Sequence, residues 1–173
     1  MLPSHLVAKD PPADLVLKPI GRPPHQGAAR PLSEWLTTFH LAAVVLDPYT
    51  NESSWILPTA VRILEGLRGS DASVSFVVTS PENDAKAFVG PLLDQFLVFV
   101  DPDRAVVTAL GLEQLPAFVF IRVDGTVPAA AEGWNPAEWR SVAESITEVT
   151  AWLPPDIPML GDPGPFHGTP AVA

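Results

Sequence analysis

The 173-residue chain contains no cysteine. Disulfides, thiolate metal ligands and thiol nucleophiles are excluded together. Charge is sparse and one-sided: 17% of residues are charged, and 10 basic against 20 acidic residues leave a formal net charge of -10. A polyanion would be repelled, so neither nucleic acid nor an anionic membrane surface is an expected partner. Basic or apolar protein surfaces remain. No run approaches the roughly 18 apolar residues of a membrane span. Residues 1–30 lack the apolar core of a signal peptide and are interrupted by Pro3, Pro11, Pro12 and Pro19. A cytoplasmic location is the expectation.

Several site patterns are also missing. No Gly-x-Ser-x-Gly is present, and Ser80 and Ser141 fall at predicted helix starts, where capping explains them. Gly66–Gly69 and Gly161–Gly164 do not lead from a strand into a helix with a lysine, so no phosphate loop is formed. Asp101 and Asp103 lack the later glycine and glutamate of a calcium loop and read as a turn with a helix cap. His5, His25, His40 and His167 are scattered, with no two at metal-ligand spacing. No cofactor and no metal are expected.

What the chain does have is proline, 21 residues of it, concentrated at the ends. The division expected is a Pro-rich N-terminal arm over 1–32, a folded domain over 33–150 and a Pro-rich C-terminal arm over 151–173. Asp14–Ile20 has the pattern of a short edge strand. Ser33 is placed to cap a short helix, Glu34–Phe39, with Trp35, Leu36 and Phe39 on one face. Leu41–Leu46 is a continuous apolar run, as in a strand buried on both faces. The polar turn Asp47–Ser54 leads into a helix to about Leu67, ended with help from Gly66 and Gly69.

Strands are then expected at Ser73–Thr79, Phe96–Val100, Ala117–Val123 and Thr126–Glu132. Helices are expected from Ser80 to about Leu93, over Arg104–Leu110, and from an Asn135 cap with Pro136 at its first position. Asp124-Gly125 marks the hairpin turn. Alternation closed by a hairpin predicts an α/β fold: a mostly parallel mixed sheet, one antiparallel C-terminal hairpin and helices on both faces.

The stretch Gly111–Gly125, read with the turn and helix before it, is similar to the thioredoxin superfamily, nearest its thiol-disulfide and peroxiredoxin-like branches. The similarity covers about residues 33–150. By it, Leu115-Pro116 matches the cis-proline dipeptide, Pro58 the proline of the first active-site helix, and Gly133 a glycine after the hairpin. Counting back from Pro58 places Thr50 and Ser53 at the two cysteine positions and Tyr49 at the aromatic before them. The departure there removes thiol-disulfide exchange, because an alcohol is too weak an acid to attack a disulfide. Either hydroxyl suits a helix cap; contact with a ligand and nucleophilic catalysis are the alternatives.

The chain further resembles the cysteine-less thioredoxin-like accessory proteins of [NiFe] hydrogenase maturation. The matching segments are Pro31–Leu36, Asp47-Pro48 and Gly133–Trp139. That resemblance implies a chaperone for a hydrogenase subunit. The expected site is a groove lined by Tyr49, Thr50, Ser53, Leu115 and Pro116, which would take a protein or extended peptide through backbone hydrogen bonds. An enzyme using Tyr49, Ser53 or an acid on a small molecule is the alternative, and a structural subunit the third. Trp134 and Trp139 read as core. The segment from Trp152 to Phe166 is apolar enough to dock on its own domain, on a partner, or to stay disordered.

Overall fold

Alternation in one strand organises the molecule. The apolar run forms β3 (His40–Leu46), and successive side chains leave opposite faces of the sheet. Ala42, Val44 and Leu46 enter one core; Leu41, Ala43 and Val45 enter another. The computed structural model describes residues 8–21 and 28–172. His5, His25, Pro3, Pro23 and Pro24 lie outside the described residues.

The other strands are β1 (Val16–Ile20), β2 (Arg30–Pro31), β4 (Ala72–Val78), β5 (Leu97–Val100), β6 (Gln114–Leu115), β7 (Ala117–Ile121), β8 (Ala129–Glu132) and β9 (Thr169–Pro170). Among the described residues, six of these join β3 in one seven-stranded sheet, in the order β2-β1-β5-β4-β3-β7-β8. β3, β4 and β5 are parallel; β7 and β8 form the antiparallel hairpin. β6 and β9 pair separately. The expected mixed α/β architecture is the one observed.

Helix α2 (Asn51–Leu67) presents Ile56, Ala60, Ile63, Leu64 and Leu67 to the first core, at spacings of three and four. Helix α5 (Pro136–Thr150) adds Trp139, Val142, Ala143 and Ile146 there. Asn135 caps it by accepting the Glu138 N–H at 3.3 Å. The second core lies under α1 (Leu32–Trp35) and α4 (Ala105–Leu110).

Several local expectations fail for identifiable reasons. The helix expected over Glu34–Phe39 is the single turn α1, entered from Pro31 with no side-chain cap from Ser33. Thr37 Oγ1 donates to the Glu34 carbonyl at 3.0 Å, the acceptor a longer helix would use, and Phe39 is exposed. The helix expected from Ser80 to Leu93 divides. α3 (Glu82–Val89) follows Pro81, and the rest becomes a 3-10 turn, Gly90–Asp94. Pro91 supplies no donor and pushes Gly90 out of the helical region, to φ +54°. Ser80 donates to the Pro81 carbonyl instead of capping, and Ser141 lies inside α5, bonded to the Ala137 carbonyl.

The hairpin loop is longer than a two-residue turn. β7 stops at Ile121 and β8 begins at Ala129, because the Asp124 carboxylate folds the loop by accepting from Thr126 N and Oγ1. Gly66 does not end α2 but lies within it.

The described parts of both Pro-rich segments, residues 8–21 and 28–32 and residues 151–172, are packed on the sheet and helices. β1 lies between β5 and β2, with Leu17 and Ile20 buried. The C-terminal segment runs back along α2. Trp152 Nε1 donates to the Gly66 carbonyl at 3.0 Å, and Arg62 bonds the Asp156 carbonyl. Asp162 accepts from Arg62 at 2.7 Å and Thr59 at 2.9 Å. The Phe166 ring meets Trp55 edge-on at 5.7 Å. A Cβ on Gly66 would come within 2.9 Å of the Pro155 ring, so this glycine admits the crossing segment.

Candidate functional site

β3 delivers the chain to Asp47, and the backbone and carboxylate of this one residue organise the turn that follows. Asp47 Oδ1 accepts the Tyr49 N–H at 3.0 Å, an Asx-type closure. The Asp47 N–H donates to Ser53 Oγ at 2.9 Å, and Thr50 Oγ1 donates back to the Asp47 carbonyl at 2.9 Å. Thr50 holds the N-cap position of α2 with extended backbone, yet its side chain caps no helix N–H. The expected capping role is therefore corrected: both hydroxyls serve Asp47. Ser53 is fully buried, Thr50 is half-buried and Tyr49 is exposed, its hydroxyl donating to Asp84 on α3. That bond holds the phenol above its ordinary titration range.

The second carboxylate oxygen of Asp47 meets Arg104 Nη2 at 3.0 Å, with the aspartate side chain 7% and the arginine 20% exposed. Arg104 occupies the residue before α4 at φ +58°. A left-handed conformation costs a non-glycine residue about 1–2 kcal/mol. It sets this guanidinium between two acceptors, since Nη1 also donates to the Ala171 carbonyl. Asp101 supplies the real cap of α4, accepting Val106 N–H and Val107 N–H at 3.1 and 3.2 Å. Burial raises its carboxyl, and those backbone donors pull it back.

Leu115–Pro116 is cis, as expected from the resemblance, and Ile157–Pro158 is cis as well. The groove expected to lie open beside Leu115 is filled. Leu115 and Pro116 are buried, and Leu115 pairs with Thr169 while Gln114 pairs with Pro170. The bond from Ala171 N–H to the Glu113 carbonyl, 2.9 Å, fixes the alternation of this ladder. Gln114 and Pro170 are thus a non-hydrogen-bonded pair, where a residue without an N–H is tolerated.

On the other side, Phe166 and Trp134 exchange N–H···O bonds of 3.0 and 2.9 Å. Trp134 Nε1 donates to the Pro163 carbonyl at 2.7 Å. Gly133, the glycine after the hairpin, has φ +69°, and a Cβ there would fall 2.9 Å from Gly168 N. The turn at Thr50 and the loop at Leu115 are joined through Asp47, Arg104 and Ala171.

Beside the docked segment is a cleft of about 440 Å³ lined by Glu113, Glu132, Trp134, Glu138 and His167 among others. Glu132 Oε1 accepts the Gln114 N–H at 3.1 Å, while Oε2 is buried without a partner. Burial lifts this carboxyl above its ordinary value, opposed by the N–H groups of Glu113 and Gln114.

Arg104, Asp47, Gly168 and Glu132 were not marked as site residues by their sequence pattern. A charged residue in left-handed backbone carries no sequence signature. A glycine in a Pro-rich tail shows its purpose only against the surface it touches.

No protein-family model and no curated protein matches the chain. Solved structures do. A protein described as the thiol:disulfide interchange protein DsbE from Chlorobium tepidum superposes with a TM-score of 0.65 at 18% identity, covering 83% of this chain and 97% of that one. The exposed lipoprotein thioredoxin Etrx1 of Streptococcus pneumoniae gives 0.60 at 21% identity, over 79% of this chain and 99% of that one. A PrxQ mutant from Xylella fastidiosa gives 0.59 at 17% identity, over 86% and 98%. The chain has a thioredoxin-like fold without the cysteines of thiol chemistry. Among the described residues no helix is long and apolar enough to cross a membrane.

Proposed function

We propose that this chain is a non-redox protein-binding module, a chaperone or assembly factor that takes an extended segment as an added strand beside Leu115–Pro116. The observation that supports it most is the β6–β9 pair: an extended stretch of chain lies in that slot, held by backbone hydrogen bonds. Thr50 and Ser53 are engaged with Asp47, and neither is set up as a nucleophile by an adjacent base. The net charge of -10 favours a basic or apolar partner surface in a cytoplasmic setting. The narrower reading, a hydrogenase maturation chaperone, rests on the resemblance at Pro31–Leu36, Asp47-Pro48 and Gly133–Trp139.

The absence of cysteine makes a clean test. Gln114→Cys with Pro170→Cys places two thiols across a non-hydrogen-bonded antiparallel pair, the geometry a disulfide needs. Oxidised, the slot is stapled shut; reduced, it can open. Proteins captured from the native cell by the reduced full-length chain should be lost on oxidation and return on reduction, with Gln114→Cys alone as control. An identical captured set in both states would sink the slot as the binding surface.

A second reading, an enzyme acting on a small molecule, draws on the cleft and its raised carboxyl at Glu132. It expects a small molecule to bind in the cleft and Glu132→Gln to abolish its turnover, whereas strand addition expects that variant to leave stapling-sensitive capture intact.

A further inference from the structure

The docked segment is a ligand in cis, and its fit shows what the slot accepts. We propose that the slot recognises an extended segment by a pattern of an aromatic residue, one free position, glycine, two undemanding positions and alanine. Phe166–Ala171 are then the resident occupant that a partner's segment of this pattern displaces. The inference rests on the protein-binding reading above and adds the chemistry of the partner.

Each position is set by a different contact. The Phe166 ring lies edge-on to Trp55 and packs against the main core, while its backbone pairs with Trp134. The His167 side chain is exposed at the rim of the cleft of Glu113, Glu132 and Glu138, and its position is the free one. Gly168 has no room at all. A Cβ there would sit 2.7 Å from the Leu115 carbonyl oxygen, 2.8 Å from Gln114 Cβ and 3.1 Å from Leu115 N. Its backbone is not in the left-handed region, so the requirement is steric. The opposite wall is equally close, since a Cβ on Gly133 would meet Gly168 N and the Phe166 carbonyl at 2.9 and 3.0 Å.

Thr169 is half-buried opposite Leu115, and Pro170 is exposed opposite Gln114. Ala171 is fully buried in the second core; its N–H goes to the Glu113 carbonyl and its own carbonyl takes Arg104. Backbone groups are thus held whatever the sequence, and Phe166, Gly168 and Ala171 supply the selection. Because the resident segment is tethered, a competitor faces a slot that is empty only a fraction of the time, and its apparent affinity falls by that fraction.

The test uses the full-length chain and a fluorescent peptide with the sequence of residues 164–172. In the Gly168→Val chain the resident segment cannot seat, and folding is checked by circular dichroism. The peptide should bind this variant at least about tenfold more tightly than it binds the wild-type chain. A peptide carrying valine at its own glycine should bind neither. Phe166→Ala, which weakens the resident without touching the walls, should also admit the parent peptide and keeps the test intact if Gly168→Val does not fold.

The proposal is overturned if the parent peptide fails to bind the tail-weakened chains, or if the valine peptide binds as well as the parent. It is equally overturned if those chains form dimers, by exchanging segments, that excess peptide does not dissociate. Capture that responds to the Gln114–Pro170 staple while the peptides show no glycine preference would retain the protein-binding reading and remove this rule.

Discussion

Replacing Arg104 by methionine should destabilise the fold by about 2–4 kcal/mol, and the loss should be shared with Asp47. Removing one partner of a buried ion pair costs about 3–5 kcal/mol, because the remaining charge is left uncompensated. Two features lower that figure for this pair. The arginine side chain is 20% exposed, which admits some solvent screening, and Asp47 keeps the Tyr49 N–H. Methionine also retains the left-handed backbone, so no strain is relieved to mask the effect.

Asp47→Asn removes the charge but preserves an oxygen for Tyr49. The double variant should recover part of the sum, with a coupling of about 1–3 kcal/mol from urea unfolding at constant slope. The two single variants should differ at the far end of the chain. Arg104→Met frees the Ala171 carbonyl, so hydrogen exchange at the Ala171 amide should speed up; Asp47→Asn leaves that contact in place. A coupling under about 0.5 kcal/mol, the level at which distant sites already add, would refute the reasoning. So would equal exchange at Ala171 in both variants.

Glu132→Gln keeps an oxygen for the Gln114 N–H and removes the ionisation. A carboxyl raised in the fold binds its proton more tightly than in the unfolded chain. Stability therefore falls as pH rises from the ordinary glutamate value, 4.5, through the raised one. The variant should melt higher than wild type at pH 7 and match it near pH 3.5; an equal gain at both values would refute the burial argument. Thr50→Cys with Ser53→Cys, at the N-cap and third helical positions of α2, should close a disulfide on mild oxidation, read by thiol titration; two persistent free thiols would show the spacing to be misread. The unaltered chain should show no disulfide-reductase turnover above buffer, and measurable turnover would overturn the non-redox assignment.

What the sequence made legible was whatever local chemistry decides alone. Asn135-Pro136 before Trp139 and Val142 marks a helix start because cap, fixed φ and apolar spacing agree within one turn. Leu41–Leu46 is legible because no surface strand carries six apolar residues in succession. The positions of Thr50 and Ser53 followed from spacing, but their roles did not, since Asp47 claims both hydroxyls by tertiary geometry. Likewise the composition at 151–173 reads as extended chain but cannot say what it lies against. Gly66, Gly133 and Gly168 became interpretable only once the crossing backbone was opposite them. Tertiary override also explains the single turn at Leu32–Trp35, where pairing of Arg30 and Pro31 with β1 fixes the entry.

The direction in which the C-terminal segment lies along α2 has a mechanical consequence. Its anchors follow the helix backwards: Trp152 at Gly66, Asp156 and Asp162 at Arg62, Asp162 at Thr59, Phe166 at Trp55, and only then the strand at Leu115. A pull on residue 172 loads these contacts in series, as in peeling tape, and not together, as in shearing a joint. The Leu115 contacts are released first, then Phe166, while the Arg62 and Gly66 anchors stay fast. Clearing the slot thus needs only residues 166–171 to lift, a local opening far smaller than detachment of the whole segment.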